Sequence, residues 1–316
     1  MNITTLWKCK RNKMPRKIFL DCDPGHDDAI AILLALSSPF LSLLGISVVS
    51  GNQTLEKTAR NALNVTRYLH SDVPIALGAS KPLKRSRLNC GEIHGESGLD
   101  GFTFPEYELQ YEKRDAVTFL RDTLLSQDKV TVVTTGPMTN LASALLQYPE
   151  IIPHIEEIIS MGGSTDKGNL TPYAEFNILA DAEAAKICFD SKIPMRMVGL
   201  NVTRKALVLP EIVERMDKIK THSSKMFVAL MKFFNKTQKE VFGLEGGPLH
   251  DPLTIACLLD DKILHFERMD VDVDISDSIT YGQTRCKPNK ESYIQVATGI
   301  DVNLFFDYIE KALRSC

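Results

Sequence analysis

No Gly-x-Gly-x-x-Gly follows the first apolar segment, which makes a dinucleotide-binding turn a poor reading. Neither Gly-x-x-x-x-Gly-Lys-Ser/Thr nor Gly-x-Ser-x-Gly occurs, so there is no local sign of a triphosphate-binding loop or a serine esterase. Cysteine forms no Cys-x-x-Cys pair: the seven residues are dispersed at Cys9, Cys22, Cys90, Cys188, Cys257, Cys286 and Cys316. That odd, scattered set argues against a disulfide framework and zinc-type ligand spacing, and for a reducing, cytoplasmic compartment. An excess of positive charge is also missing. Lys and Arg number 37 against 40 Asp and Glu, a formal net charge of -3, which does not suit a nucleic-acid partner. Long apolar runs are absent, so no membrane span is expected.

The chain has 316 residues, 44% of them hydrophobic, enough for a large core. Residues 1–15 carry Lys8, Lys10, Arg11 and Lys13 and read as a basic, disordered tail ahead of one domain over 16–316. Apolar strand candidates at 17–22, 43–50, 73–77, 129–135, 155–161 and 194–200 alternate with helical patterns. The expected fold class is α/β, a single open and mostly parallel sheet flanked by helices. Residues 264–298 alternate and are polar, predicting a C-terminal β-hairpin addition.

The densest chemistry is Asp21-Cys22-Asp23-Pro24-Gly25-His26-Asp27-Asp28, between the first strand and its helix. Asp21 and Asp23 lie two apart on an extended segment and can share a face. Asp27 and Asp28 fall at a helix start, where free N–H groups favour negative charge. So many carboxylates repel one another unless a cation sits among them, and oxygen donors suit calcium or magnesium. A solvated acidic turn with capping aspartates is the other reading.

A second cluster, His250-Asp251-Pro252, opens a helix after a glycine-rich loop. Asp251 is either a distant carboxylate folded over the cation or a helix cap with Pro252 at the first helical position. A third cluster runs from Met161-Gly162-Gly163 through Asn169, Glu175 and Asn177. Amides plus a carboxylate suit a polyhydroxylated ligand, and Gly51-Asn52 at another strand end could add to them. Thr135-Gly136-Pro137 ends a strand whose carbonyl can face the same crevice.

With these motifs in order, the chain resembles the nucleoside hydrolases, the inosine-uridine preferring N-ribohydrolases. The Asp-x-Asp-Pro-Gly-x-Asp-Asp turn is intact. Gly51-Asn52, His94-Gly95-Glu96-Ser97-Gly98, Thr135–Asn140, Met161-Gly162-Gly163, Ala174–Asn177 and His250-Asp251-Pro252 follow in family order.

The resemblance implies a nucleoside hydrolase fold with a Rossmann-like core, a homodimer or homotetramer, and one Ca2+ ion. It implies metal binding by Asp23, Asp28 and Asp251 through carboxylates and by Thr135 through its carbonyl, with Asp21 behind them. Asp27, Asn52, Glu175 and Asn177 would hold the ribose hydroxyls, with Asn169 and Met161 lining the sugar pocket. Asp23 would be the general base on a metal-bound water. His250, as an imidazolium, would protonate the departing base, with His94 nearby. His26 is read as lying behind the ligands or on the surface.

The implied reaction is calcium-dependent hydrolysis of ribonucleosides to ribose and free base in nucleoside salvage. The stretches Asp21–Ile32, His94–Gly101 and Gly246–Pro252 are most similar to pyrimidine-preferring members. Phe234 and Gln238, four apart on one helical face, are the expected base contacts, with uridine and cytidine as substrates. A purine-preferring or nonspecific hydrolase, a nicotinamide riboside hydrolase and a calcium-dependent riboside-binding protein are the alternatives.

Overall fold

Hydrophobic segments that alternate with helices leave a sheet no exposed face, and the chain folds accordingly. The computed structural model describes residues 14–88 and 91–315. The tail expected over 1–15 lies outside the described residues up to position 13, as do Cys90 and Cys316. Eleven strands are present among the described residues: β1 Arg16–Cys22, β2 Leu41–Val48, β3 Ile75–Leu77, β4 Val130–Thr134, β5 Ile155–Met161, β6 Met195–Val198, β7 Leu207–Val208, β8 Gly247–Pro248, β9 Leu264–Val273, β10 Thr284–Pro288 and β11 Ile294–Ile300.

Nine of them form one open sheet in the order β10-β9-β11-β6-β5-β4-β1-β2-β3. From β11 to β3 every pairing is parallel. The chain runs outward from β1 through β2 to β3, then returns to place β4 on the other side of β1. This reversal opens a crevice beyond the carboxyl ends of β1 and β4, the usual ligand position in open α/β sheets.

Alternation along each strand feeds two cores. Ile18 and Leu20 of β1 join the core under helices His26–Ser37, Leu55–Tyr68, His222–Phe242, Pro252–Leu259 and Val302–Ser315. Phe19 points the other way, into the core under Ala116–Leu125, Thr139–Gln147 and Ala182–Phe189. The His26–Ser37 helix is apolar nearly all round and buried along almost its whole length, as an interior helix must be. It therefore fixes Asp27 and Asp28 rigidly at its first turn.

The expected hairpin is β9–β10, antiparallel, but it does not dock directly on β6. β11 lies between them, antiparallel to β9 and parallel to β6. The strand expected over 194–200 ends at Val198, where Gly199 turns the chain into the short helix Leu200–Thr203. β7 and β8 form a separate ribbon of two-residue strands. Asp181 caps its helix as expected, accepting from the Ala184 N–H at 3.1 Å. No helix among the described residues is long and apolar enough to cross a membrane. Cys22, Cys188 and Cys257 are buried free thiols.

Candidate active site

β1 delivers Asp21 and Asp23 to the crevice and the Asp23-Pro24-Gly25 turn delivers Asp27 and Asp28. The turn is tight because the Gly25 N–H donates to Asp28 Oδ2 at 3.0 Å. The Asn52 backbone N–H donates to Asp23 Oδ2 at 2.7 Å, and its side-chain amide reaches the Asp23 carbonyl at 3.1 Å and Asp28 Oδ2 at 3.3 Å. The Thr135 hydroxyl donates to Asp28 Oδ1 at 2.7 Å. Glycine is required at positions 51 and 136, because a Cβ on either would collide with the Asp23 carboxylate. Asp21 lies behind, accepting from the Ser47 hydroxyl at 2.5 Å and the Asn140 amide at 2.8 Å.

Asp251 arrives from the Pro252–Leu259 helix. One carboxylate oxygen from each of Asp27, Asp28 and Asp251 lies within 4.8 Å of the others. The resemblance gave Asp27 to the sugar; the fold places it, as the crowding of carboxylates in the turn suggests, among the carboxylates able to share a cation as well. Burial pushes Asp23 and Asp251 well above the usual carboxylate range, with Asp28 adding to Asp23 and Asp27 adding to Asp251. Asp28 is raised by burial, and Asp27 is pushed up to about 7 by burial and by Asp28. These groups ionise together only with positive charge among them.

The donor set fits such an ion. Asp23 Oδ1 is buried and has no hydrogen-bond partner among the described residues, and the surrounding donors are hard oxygens. The Thr135 carbonyl already accepts from Asn177 Nδ2 at 2.7 Å, which leaves its second lone pair.

Above these groups opens a cavity of about 430 Å³. Asp27, Asn52, Thr135 and Asp251 form its acidic end; Asp23 and Asp28 lie fully buried beneath. Met161, Asn169, Glu175 and Asn177 form a second wall. Glu175 caps the Phe176–Ala180 helix, accepting from the N–H groups of Asn177 at 2.9 Å, Ile178 at 3.1 Å and Gly163 at 3.0 Å. Burial still raises it to about 7. Asn169 Oδ1 accepts from the Phe176 N–H at 2.9 Å.

His94, Phe234, Gln238 and His250 line the remaining side, so every expected substrate residue meets one cavity. Gln238 is buried rather than solvated, and its amide has no hydrogen-bond partner among the described residues.

One histidine expectation is narrowed and one changes. Of the two placements expected for His26, behind the ligands or on the surface, the structure shows the first. His26 is fully buried, stacks on Phe233 and Phe234 at ring-centroid distances of 5.4 and 5.2 Å, and its Nδ1 lies 3.2 Å from His94 Nδ1. His250 is not positioned as a resting imidazolium. Burial and the Arg204 charge push it down to about 3, so it is neutral. Its Nδ1 lies 2.6 Å from the Thr203 hydroxyl, which has no other acceptor among the described residues and so donates here. This leaves the proton on Nε2.

Sequence reading missed Ile93, Phe176, Arg204, Leu207, Leu244 and Pro248, all of which line the cavity. Phe176 sat unread between two polar candidates. The others come from elements too short to show periodicity, from a helix end, or, for Arg204, from a lone cation without a motif.

Residues 18–307 match the model of the inosine-uridine preferring nucleoside hydrolase family. The chain is 42% identical over 304 residues to the pyrimidine-specific ribonucleoside hydrolase RihB of Escherichia coli O17:K52:H18, covering 95% of this chain and 97% of the relative. The RihB of Shigella sonnei matches to the same extent. Among solved structures, the purine-preferring ribonucleoside hydrolase from Gardnerella vaginalis superposes with a TM-score of 0.88 at 32% identity, covering 95% of this chain and 100% of that one. A plant nucleoside hydrolase, PpNRh1, superposes with a TM-score of 0.89 at 27% identity, covering 95% and 99%.

Proposed function

The chain belongs to the inosine-uridine preferring nucleoside hydrolase family and is a ribonucleoside hydrolase; on that premise we propose that it prefers uridine and cytidine and works with calcium. The observation that carries the metal is the buried Asp23 oxygen without a partner beside three converging carboxylates. Asp23, Asp28, Asp251 and the Thr135 carbonyl would hold the ion, with Asp27 at its edge. When bound, calcium would orient the ribose 2′- and 3′-hydroxyls and lower the pKa of a water molecule.

The protein's own groups then divide the work. Asp23 is anchored through Oδ2 by the Asn52 N–H, and its free Oδ1 takes the proton of the attacking water. Asp27 and Asn52 hold the cis-diol. Across the ring, the one hydroxyl left to a ribonucleoside is on C5′, and the Asn169–Glu175 wall receives it. The buried carboxylates favour the positive charge that develops on the sugar as the base leaves. His250, as a neutral imidazole, donates a hydrogen bond from Nε2–H to the departing base and steadies its negative charge without giving up the proton.

The pyrimidine preference rests on the relatives named pyrimidine-specific and on Gln238, whose free amide can pair with a pyrimidine edge beside Phe234. The Gardnerella structure is named purine-preferring, which makes inosine the competitor to measure. The role is nucleoside salvage, as a homodimer or homotetramer. The test is base release by the calcium-loaded enzyme, comparing kcat/KM for uridine, cytidine, inosine, adenosine and nicotinamide riboside. Pyrimidine turnover above all others supports the proposal. Faster inosine or nicotinamide riboside turnover would replace the preferred substrate, and no release from any would leave a riboside-binding protein.

A further inference from the structure

Arg204 has no place among the sugar, base and cation ligands, yet its side chain lines the cavity. It closes the short Leu200–Thr203 helix that follows β6. Its Nη2 donates to the Gly168 carbonyl, and its Nη1 lies 3.4 Å from Asp166 Oδ1. Residues 165–173 have no regular structure and otherwise bond mainly within their own loop. The Gly168 N–H donates to Pro172 O at 3.1 Å and the Asn169 N–H to Ala174 O at 3.2 Å. Asp166 accepts from the Ser164 hydroxyl at 2.5 Å. Among the described residues, Arg204 is the one donor from outside residues 163–176 that reaches this loop.

We propose that Arg204 is a positioning residue: its forked contacts with Gly168 and Asp166 set the Asn169 wall, and through it the recognition of the substrate's 5′-hydroxyl. This rests on the ribose orientation proposed above, in which the cis-diol faces the carboxylates and C5′ faces Asn169 and Glu175. Gly168 is packed so that a Cβ would strike the Thr171 and Ala174 carbonyls, so the loop is folded to one shape around the point Arg204 holds. A lysine reaches one of the two acceptors but cannot fork between them.

The test compares wild type, Arg204→Ala and Arg204→Lys on uridine and 5′-deoxyuridine, with amide hydrogen exchange of residues 165–173 measured without substrate. Arg204→Ala is expected to raise KM for uridine roughly tenfold and change kcat less than about threefold. On 5′-deoxyuridine, wild type and variant should agree within about twofold, because the contact the loop serves is already gone. Exchange at Gly168 and Asn169 should accelerate, and Arg204→Lys should recover only part of each effect. Equal losses on both substrates, or unchanged exchange, would overturn the proposal. Asp166→Ala carries the same comparison should Arg204→Ala fail to fold. If wild type releases no uracil, the uridine preference proposed above fails, and the exchange arm alone decides whether Arg204 holds the loop.

Discussion

The two ends of the cavity are built by different rules. At the cation end, Asp21, Asp23 and Asp28 are essentially inaccessible, sit on a central strand, just past its end or at the start of a buried helix, and are held by named donors. At the base end, Phe234 is buried, but Phe242 is 48% exposed and the Gln238 amide is free. The reacting end is thus fixed by the sheet and its interior helix. The selecting end hangs on the last turns of a surface helix. A substitution at the first should abolish chemistry, whereas one at the second should redistribute it among substrates.

The largest expected effect is at Asp23. Asp23→Ala removes the anchored base and should lower kcat for uridine by roughly 10²–10⁴-fold, read from initial rates of uracil release. A loss below about tenfold would place the base elsewhere.

Next in size is the pH dependence of the metal-free protein. Asp21, Asp27 and Glu175 are raised by burial to about 7 from ordinary values of 3.8, 3.8 and 4.5. Folded, they bind protons more tightly than unfolded. Their contribution to stability is therefore complete below about pH 4 and is lost as pH rises through about 7. Burial keeps His26, His94 and His250 neutral and so opposes this trend, but Asp23, Asp28 and Asp251 are raised as well and outweigh them. Thermal unfolding in chelator should therefore show Tm falling across that window, and excess calcium should restore it most near neutrality. A Tm that rises from pH 5 to 7 in chelator would contradict the shifts.

Smaller again is Gln238→Ala. The ratio of kcat/KM for uridine over inosine should fall roughly tenfold, with calcium affinity unchanged. An equal fall for both substrates would mean that the two ends are not separable. Phe242→Ala, half exposed at the cavity mouth, should change KM by no more than about threefold and leave Tm within about a degree.

The same contrast explains what was legible in the sequence. Asp23, Asn52, Thr135 and Met161 announce themselves because each stands at or just beyond the end of an apolar strand segment, where open α/β sheets bind ligands. The strand–helix alternation gave the sheet for the same reason. The base end is assembled from contacts that local pattern does not encode. Local pattern leaves His26 either behind the ligands or on the surface; it is buried because Phe233 and Phe234 return from the distant His222–Phe242 helix to stack on it. Leu207 and Pro248 face the cavity from a ribbon of two-residue strands, too short for any periodicity. The neutral state of His250 comes first from burial and then from the Arg204 charge, and its tautomer from Thr203; neither residue lies near it in sequence.

The most direct measurement on the central claim is calorimetric titration of calcium into the chelator-treated protein at pH 6.5, in two buffers of different ionisation enthalpy. With buried carboxylates that hold protons near neutrality, one ion should bind per chain and release about one proton or more, and Asp251→Ala should abolish the binding. No binding, or binding without proton release that survives Asp251→Ala, would contradict a cation held by these carboxylates.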